Sequence, residues 1–521
     1  MEKIKVAIEH YWLTVKSWVK ENPEEFWFLV FILSLGAFLR LFRIGEYMTF
    51  LGDEGRDAVV VRRLLVYGDP ILVGPGTSIG NMYLGPLYYY LIAPALFLAG
   101  YSPVGPSILV AILGVVTVGM VYFIGREWFG KMAGAVAAFL YAVAPTVIIF
   151  SRASWNPNVM PFFALLSVYA VWRTWREREF NWLIVLGVAF AFVMQSHYLG
   201  LVLAPVLGLF WLLTFRKNRK EKVERKKFWR KTVIGLSFFL FLMSPLVIFD
   251  ARHGWNNFGA IRTFFAERQT TVSIKPWKAI PNAWPIYEEY TTRLLAGRNV
   301  TVGKYTSIAL ISLTVILVGV KWKKLSEDRK AAFFLLLTWL LSATVALGLY
   351  KQHIYDHYYG FFFAAPFLLL GAVMLLIWES KNKIIRVLPV LGFVILLVFN
   401  LLDSPIKGSP VRQLQRSQEV VQKVIEVSGG ERYNFALIAE RNYEAGYRYF
   451  MDVRGAPVVD IDPQNTKDTI TNQLLVVCEM EKQKCDPTHN AKAEVAAFGW
   501  SKVESEWNVS GITLYKLVHT Q

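Results

Sequence analysis

Residues 26–44 read FWFLVFILSLGAFLRLFRI, and residues 52–55, just beyond them, read GDEG. The first stretch is long and apolar enough to cross a bilayer as a helix. Asp53 stands nine residues past its end, with Glu54 beside it. Two adjacent carboxylates just outside a membrane helix suggest acid/base or phosphate-linked chemistry at the membrane surface. They also suit a helix start, where the helix dipole favours negative charge. Which of the two roles each carboxylate takes is a question for the structure.

Composition sets the class. The chain has 521 residues, 55% hydrophobic and 15% aromatic, with mean hydropathy +0.37. These values exclude an ordinary soluble domain and indicate a multi-span membrane protein. The formal charge is +17, but its location points away from nucleic acid. Ten Lys or Arg lie between Arg216 and Lys231, between two apolar stretches. Basic loops of this kind set topology and meet anionic lipid headgroups. No nucleic-acid motif is present.

Apolar stretches occur at 26–44, 105–124, 132–150, 158–173, 182–197, 199–214, 232–249, 304–320, 331–350, 359–378 and 384–402. Residues 85–100 form a twelfth candidate. Counting it as a span would put the 215–231 cluster outside the cell. Laying it in the outer interface leaves the basic loops 125–131, 174–181, 215–231, 321–330 and 379–386 all in the cytoplasm, as the positive-inside rule asks. Tyr83, Tyr88, Tyr89 and Tyr90 suit an interfacial helix. The expectation is an α-helical polytopic membrane protein of about eleven transmembrane helices. Its N-terminal segment 1–25 is cytoplasmic and shows no cleavable signal peptide. The membrane domain covers 26–402, with long outer loops at 45–104 and 250–303. The plasma membrane is the expected location.

The first outer loop is predicted to hold two interfacial helices. In one, over 53–67, Val61, Leu64, Leu65 and Gly68 share a face, opposite Arg56 and Arg63. The other is 85–100. Gly74-Pro75-Gly76 and Gly80 mark the connection between them. Beyond Leu402 the chain turns polar. A helix at 411–428, strands at 434–439, 457–461, 474–478 and 511–517, and a helix at 443–453 describe a small α/β domain outside the membrane, 403–521. It contains Cys478 and Cys485, which an oxidising compartment would join and a reducing one would leave as thiols. The two N-x-S/T triplets, at Asn299 and Asn508, carry no assigned role.

This arrangement resembles a known family. An Asp-Glu pair opens a helix after the first span. Gly85-Pro86-Leu87-Tyr88-Tyr89-Tyr90-Leu91 follows, then Gly125-Arg126-Glu127-Trp128-Phe129-Gly130-Lys131 between two spans. Ala144-Pro145 and Ser151-Arg152 come next, and later Phe249-Asp250-Ala251-Arg252-His253-Gly254-Trp255. Over about residues 26–260 the chain looks like the C-type membrane glycosyltransferases of family 39, which include protein O-mannosyltransferases and lipid A aminoarabinose transferases. The resemblance implies an inverting transfer, at the outer face, from a polyprenyl-phosphate-linked sugar to a cell-envelope hydroxyl or phosphate. It puts the base on Asp53, with Glu54 as its neighbour. Many relatives carry a second acid after the third span. Here residues 151–158, SRASWNPN, have none, and Asn156 or Asn158 can only hydrogen-bond a sugar.

Chemistry narrows the remaining candidates. An acceptor hydroxyl needs a carboxylate to take its proton. The leaving phosphate needs cationic donors. On the outer side these are Arg56, Arg152, Arg252, His253 and Lys351, each of which also reads as a surface or lipid-head charge. His197, in a short turn, and His357, in the 353–359 cluster with His353 and Asp356, are contact candidates for sugar or phosphate. Trp155 and Trp255 either stack on a sugar or anchor the interface. Two histidines are too few for a zinc site, so no metal site is assigned and no cofactor is expected, though a divalent ion is compatible. Expected partners are the lipid-linked donor, the envelope acceptor and membrane lipid. Two other readings stand beside this one. One is an oligosaccharyl transferase or polysaccharide polymerase. The other is a transporter or flippase, which would carry ionisable groups at mid-membrane rather than at one edge.

Overall fold

The computed structural model describes residues 16–77, 82–266, 271–273 and 275–520. Most of the 1–25 segment, and Gly80 of the loop connection, lie outside the described residues. Every one of the eleven apolar stretches is occupied by helix. Length and composition alone license fewer spans. Among the described residues, five helices are long and apolar enough to cross a membrane, or six if the pair Asp356–Phe362 and Ala364–Trp378, bent by 62°, counts as one. The shortfall has local causes. The 132–150 stretch breaks at Ala144, whose ψ of 122° leaves the helix. The next residue, Pro145, has no N–H to continue the ladder. Trp182–Ser196 and Val387–Leu402 have only 15 and 16 helical residues.

Leu87–Leu98 has 12 helical residues, about 18 Å, against a hydrocarbon core of about 30 Å. It is tucked into the fold by buried Leu87, Tyr88, Tyr89, Ile92, Ala93 and Leu96.

The basic loops meet at one end of the bundle. Glu25 pairs with Arg126 at 2.6 Å and Lys131 at 2.7 Å. Arg178 pairs with Glu221 at 3.0 Å, Arg329 with Glu379 at 2.8 Å, and Arg176 with Asp328. The Gly52–Tyr67 helix lies at the opposite end, beyond the last turn of the first apolar helix, Pro23–Leu41.

The C-terminal region is a four-stranded sheet with helices. Its strands are β1 (Asn434–Ile438), β2 (Gln473–Cys478), β3 (Ser501–Val509) and β4 (Ile512–His519), in spatial order β1-β2-β4-β3. β1 and β2 are parallel, and the other pairings are antiparallel. The expected helices appear at Gln413–Val427 and Ala445–Val453. The expected strand at 457–461 does not form: Pro457 offers no N–H, and Val458 makes only an isolated bridge to Tyr433. In its place β3, mostly half-exposed or exposed, forms the sheet edge. Cys478 and Cys485 are bonded to each other.

The domain's core does not stop at its own border. Leu414, Val421, Phe435 and Tyr447 share one buried cluster with Ile44, Met48, Phe50 and Ala58, which follow the first apolar helix. The two segments are therefore packed as one body at this end of the molecule.

Candidate active site at the domain seam

The acidic pair splits. Glu54 turns inward and serves the helix start, its carboxylate accepting the Leu51 N–H at 3.0 Å. It is buried, and desolvation pushes its carboxyl up to about 7 against the lowering effect of those backbone bonds. Asp53 points the other way and stays 39% exposed. It accepts Arg56 Nη1 at 2.8 Å and the phenol of Tyr443.

Arg56 was expected on the polar outer face, but it is a half-buried bridge. Its Nε and Nη2 donate to Asp57 Oδ1 at 3.0 and 2.7 Å. Asp57, fully buried, also accepts Tyr89 O–H at 3.1 Å, while its Oδ2 has no hydrogen-bond partner among the described residues. Burial pushes its carboxyl up to about 6, with Arg56 opposing. Asp57 was missed at the sequence level, though it lies four residues after Asp53, one helical turn along the same face.

The C-terminal domain closes over this turn. Gly55 sits against Gly446 so tightly that a Cβ would lie 2.3 Å from the Gly446 nitrogen. At Gly52 a Cβ would meet the Tyr443 ring at 2.5 Å. Asn442 Oδ1 accepts the Gly52 N–H at 2.9 Å. Glu479 holds this loop, accepting Asn442 Nδ2 at 2.8 Å and Tyr447 O–H at 2.6 Å. Arg62 and Asp452 pair at 2.6 Å further along the seam. No motif signals Tyr443 or Asn442, because their role depends on contacts between residues 390 apart in the chain.

From Asp57 the polar path continues inward. Tyr88, next to Tyr89, bonds Ser154 at 2.7 Å. Trp155 packs on His357 with ring centres 4.5 Å apart, and His357 on His197 at 5.8 Å. Three sequence candidates, Trp155, His197 and His357, are thus brought together. His197 is itself tied down, its Nδ1 accepting the Leu199 N–H at 3.1 Å.

Other candidates are held in the frame or lie apart. Arg152 is buried, donates to Phe42 O at 2.8 Å and lies over the Tyr47 ring. Burial lowers its guanidinium to about 10. Asn156 donates to Ser196 O at 2.7 Å. Arg252 is exposed at the end of Lys222–Arg252, and His253 stacks on Phe249 at 4.1 Å. Asp250 caps the next helix by accepting the Asn257 and Phe258 N–H groups at 2.7 and 2.9 Å. Lys351 is exposed, its backbone N–H donating to Thr271 O at 2.9 Å. Among the described residues no group of three or more His, Cys, Asp or Glu is placed to hold a metal ion.

Residues 84–249 match the dolichyl-phosphate-mannose-protein mannosyltransferase family. The matched segment begins after the acidic helix. Two Bacillus subtilis (strain 168) proteins with the provisional description of mannosyltransferase, YkcB and YycA, are 29% and 27% identical over 128 and 117 residues. Those matches cover 24% and 22% of this chain but only 17% of each relative. In fold, the chain is similar to ArnT from Cupriavidus metallidurans bound to undecaprenyl phosphate. The TM-score is 0.59 at 11% identity, over 95% of this chain and 98% of that one. It is also similar to the oligosaccharyltransferase AglB from Archaeoglobus fulgidus in complex with an inhibitory peptide and a dolichol-phosphate. There the TM-score is 0.51 at 13% identity, over 88% and 70%. The chain is an integral membrane protein with the C-type glycosyltransferase fold.

Proposed function

We propose that this protein is an inverting glycosyltransferase that takes a sugar from a polyprenyl-phosphate donor and gives it to a cell-envelope acceptor at the outer face. The observation that carries this reading is Asp53: a half-exposed carboxylate on a helix just outside the membrane, aimed by Arg56, which is itself held by buried Asp57. The acceptor hydroxyl gives its proton to Asp53 as its oxygen bonds the anomeric carbon. The carbon–oxygen bond to phosphate breaks, and the polyprenyl phosphate leaves with that electron pair. The leaving group already carries negative charge, so it needs cationic contacts rather than a proton. Arg252 and Lys351 are assigned to that role, and the Trp155–His197–His357 cluster to the sugar.

The sidedness belongs to the same proposal. The ion-paired basic end is cytoplasmic by the positive-inside rule. Eleven spans then put Asp53 and the C-terminal domain outside. Cysteines introduced at Gly130 and Lys220 are expected to resist an impermeant thiol reagent added to intact cells, and labelling of both would invert the topology.

The decisive test is Asp53→Asn in membranes supplied with labelled polyprenyl-phosphate sugars. Removing a placed general base costs on the order of 10²–10⁴ in rate. Turnover near wild type would end the assignment.

A further inference from the structure

Resting on Asp53 as the base, we propose that the Tyr443 hydroxyl occupies the subsite of the acceptor hydroxyl, so that the C-terminal domain covers the site and the acceptor is a hydroxyl rather than a phosphate. The phenol donates to Asp53 just as an acceptor O–H must do before it loses its proton. Burial, and then the bond to Asp53, push the phenol above its usual range, so it stays a protonated donor and does not compete as a nucleophile.

The cover is built into the seam. Its ring lies flat against Gly52, where no side chain intervenes. Asn442 fixes the loop to the same residue, and Glu479 fixes Asn442. Yet Tyr443 itself is 41% exposed, so its outer side is open and the phenol can swing away without unpacking the Gly55–Gly446 contact beneath it.

The charges around the subsite choose the acceptor. Arg56, the cation touching Asp53, is shared with Asp57. Asp53, Glu54 and Asp57 crowd one turn. A phosphate placed against Asp53 would meet like charge, with its nearest guanidinium already engaged. A neutral hydroxyl replaces the phenol bond for bond.

The test uses the full chain purified in detergent and the variant Tyr443→Phe, which keeps the ring on Gly52 and removes only the hydroxyl. First, Asp53 is coupled to glycine amide with a water-soluble carbodiimide and read by mass spectrometry. The variant is expected to label about tenfold faster or more, the worth of a hydrogen bond to a charged group. Methyl mannoside should then protect Asp53 in the variant, and inorganic phosphate at the same concentration should not. Equal labelling of the two proteins, or protection by phosphate alone, overturns the proposal. Second, each protein is given mannosyl-phosphoryl-decaprenol with water as the only acceptor. Hydrolysis about tenfold faster in Tyr443→Phe, at unchanged donor KM, is expected. Slower hydrolysis overturns it, because the phenol would then orient Asp53 and not cover it. Faster labelling with no donor consumed by either protein overturns the glycosyl-transfer reading and leaves the phenol only as the cover of Asp53.

Discussion

Two corners of the molecule hold the charges that the proposed transfer would use, and they are built in different ways. Around Asp53, the polar side chains form a linked chain that reaches a second helix and the C-terminal domain: Arg56 bridges Asp53 and its neighbour Asp57, Asp57 is held by Tyr89, and Asp53 by Tyr443. Around Arg252, the side chains are held by their own neighbourhood. His253 stacks on Phe249 and bonds its carbonyl, Asp250 caps the adjoining helix, and Arg252 is exposed. A group that must be aimed before substrate arrives belongs in the first kind of corner. A group that meets a mobile lipid headgroup can belong in the second, because the lipid supplies the partner. The contrast predicts a steep order of mutational effects.

Asp57→Ala should be among the most damaging changes after loss of Asp53 itself. It frees two Arg56 nitrogens and Tyr89, and it leaves Arg56 to close on Asp53 and compete for its lone pairs. Breaking a buried ion pair by removing one partner costs about 3–5 kcal/mol. Arg56 keeps some solvent, so about 2 kcal/mol of stability is the better figure, with kcat lowered about 10²-fold through Asp53. Thermal unfolding in detergent and transfer kinetics measure the two parts separately. Wild-type kcat with only the stability loss would mean that the Arg56 bridge does not aim the base.

Glu54 sharpens the same corner through pH. Its carboxyl is raised from an ordinary 4.5 to about 7 in the folded protein. The folded state therefore binds more protons than the unfolded one between those values. Stability from this group is present below about 4.5, falls as pH rises toward 7, and is flat above. Glu54→Gln cannot ionise but can still accept the Leu51 N–H. Its melting temperature should lose much of the decline across that window and exceed wild type at pH 8, with Asp57 contributing the residual slope. Transfer should change far less than in Asp53→Asn. A Glu54→Gln protein as inactive as Asp53→Asn would move the base to Glu54.

How far these corners could be read from sequence follows from the range of the contacts that make them. The apolar stretches, the Gly52–Tyr67 helix, and the strands at Asn434–Ile438 and Gln473–Cys478 follow from periodicity within a dozen residues, and they were legible. β3 was not, because its charged side chains face out at a sheet edge and blur the alternation. The division of labour between Asp53 and Glu54 was only half legible. A carboxylate at the third residue of a helix is a capping position, which marks Glu54, but nothing local shows that Asp53 will meet Tyr443. Arg152 shows how a long-range contact adds to a local reading. Its sequence context suggests a phosphate contact, and nothing local shows that its Nη2 also bonds Phe42 O beneath the Tyr47 ring.

The smallest expected effect belongs to the exposed corner, and it tests whether that corner acts at all. Arg252 ends a 31-residue helix, and on the proposed topology its guanidinium stands at headgroup level. Arg matches a phosphate with two parallel N–H donors, and Lys offers a single point charge. Its exposure limits the gain, since water competes at both the free and the bound stage, and exposed charge pairs are worth about 0–1 kcal/mol. Arg252→Ala should therefore raise donor KM by a factor of about 5 or less, with Arg252→Lys between the two, and stability unchanged. If the contact tightens on the leaving phosphate, kcat falls as well. Varying donor and acceptor separately in detergent distinguishes the cases. A change confined to acceptor KM, or none, takes the phosphate away from this corner and toward Lys351. A loss as large as that of Asp57→Ala would erase the contrast between an aimed corner and an open one.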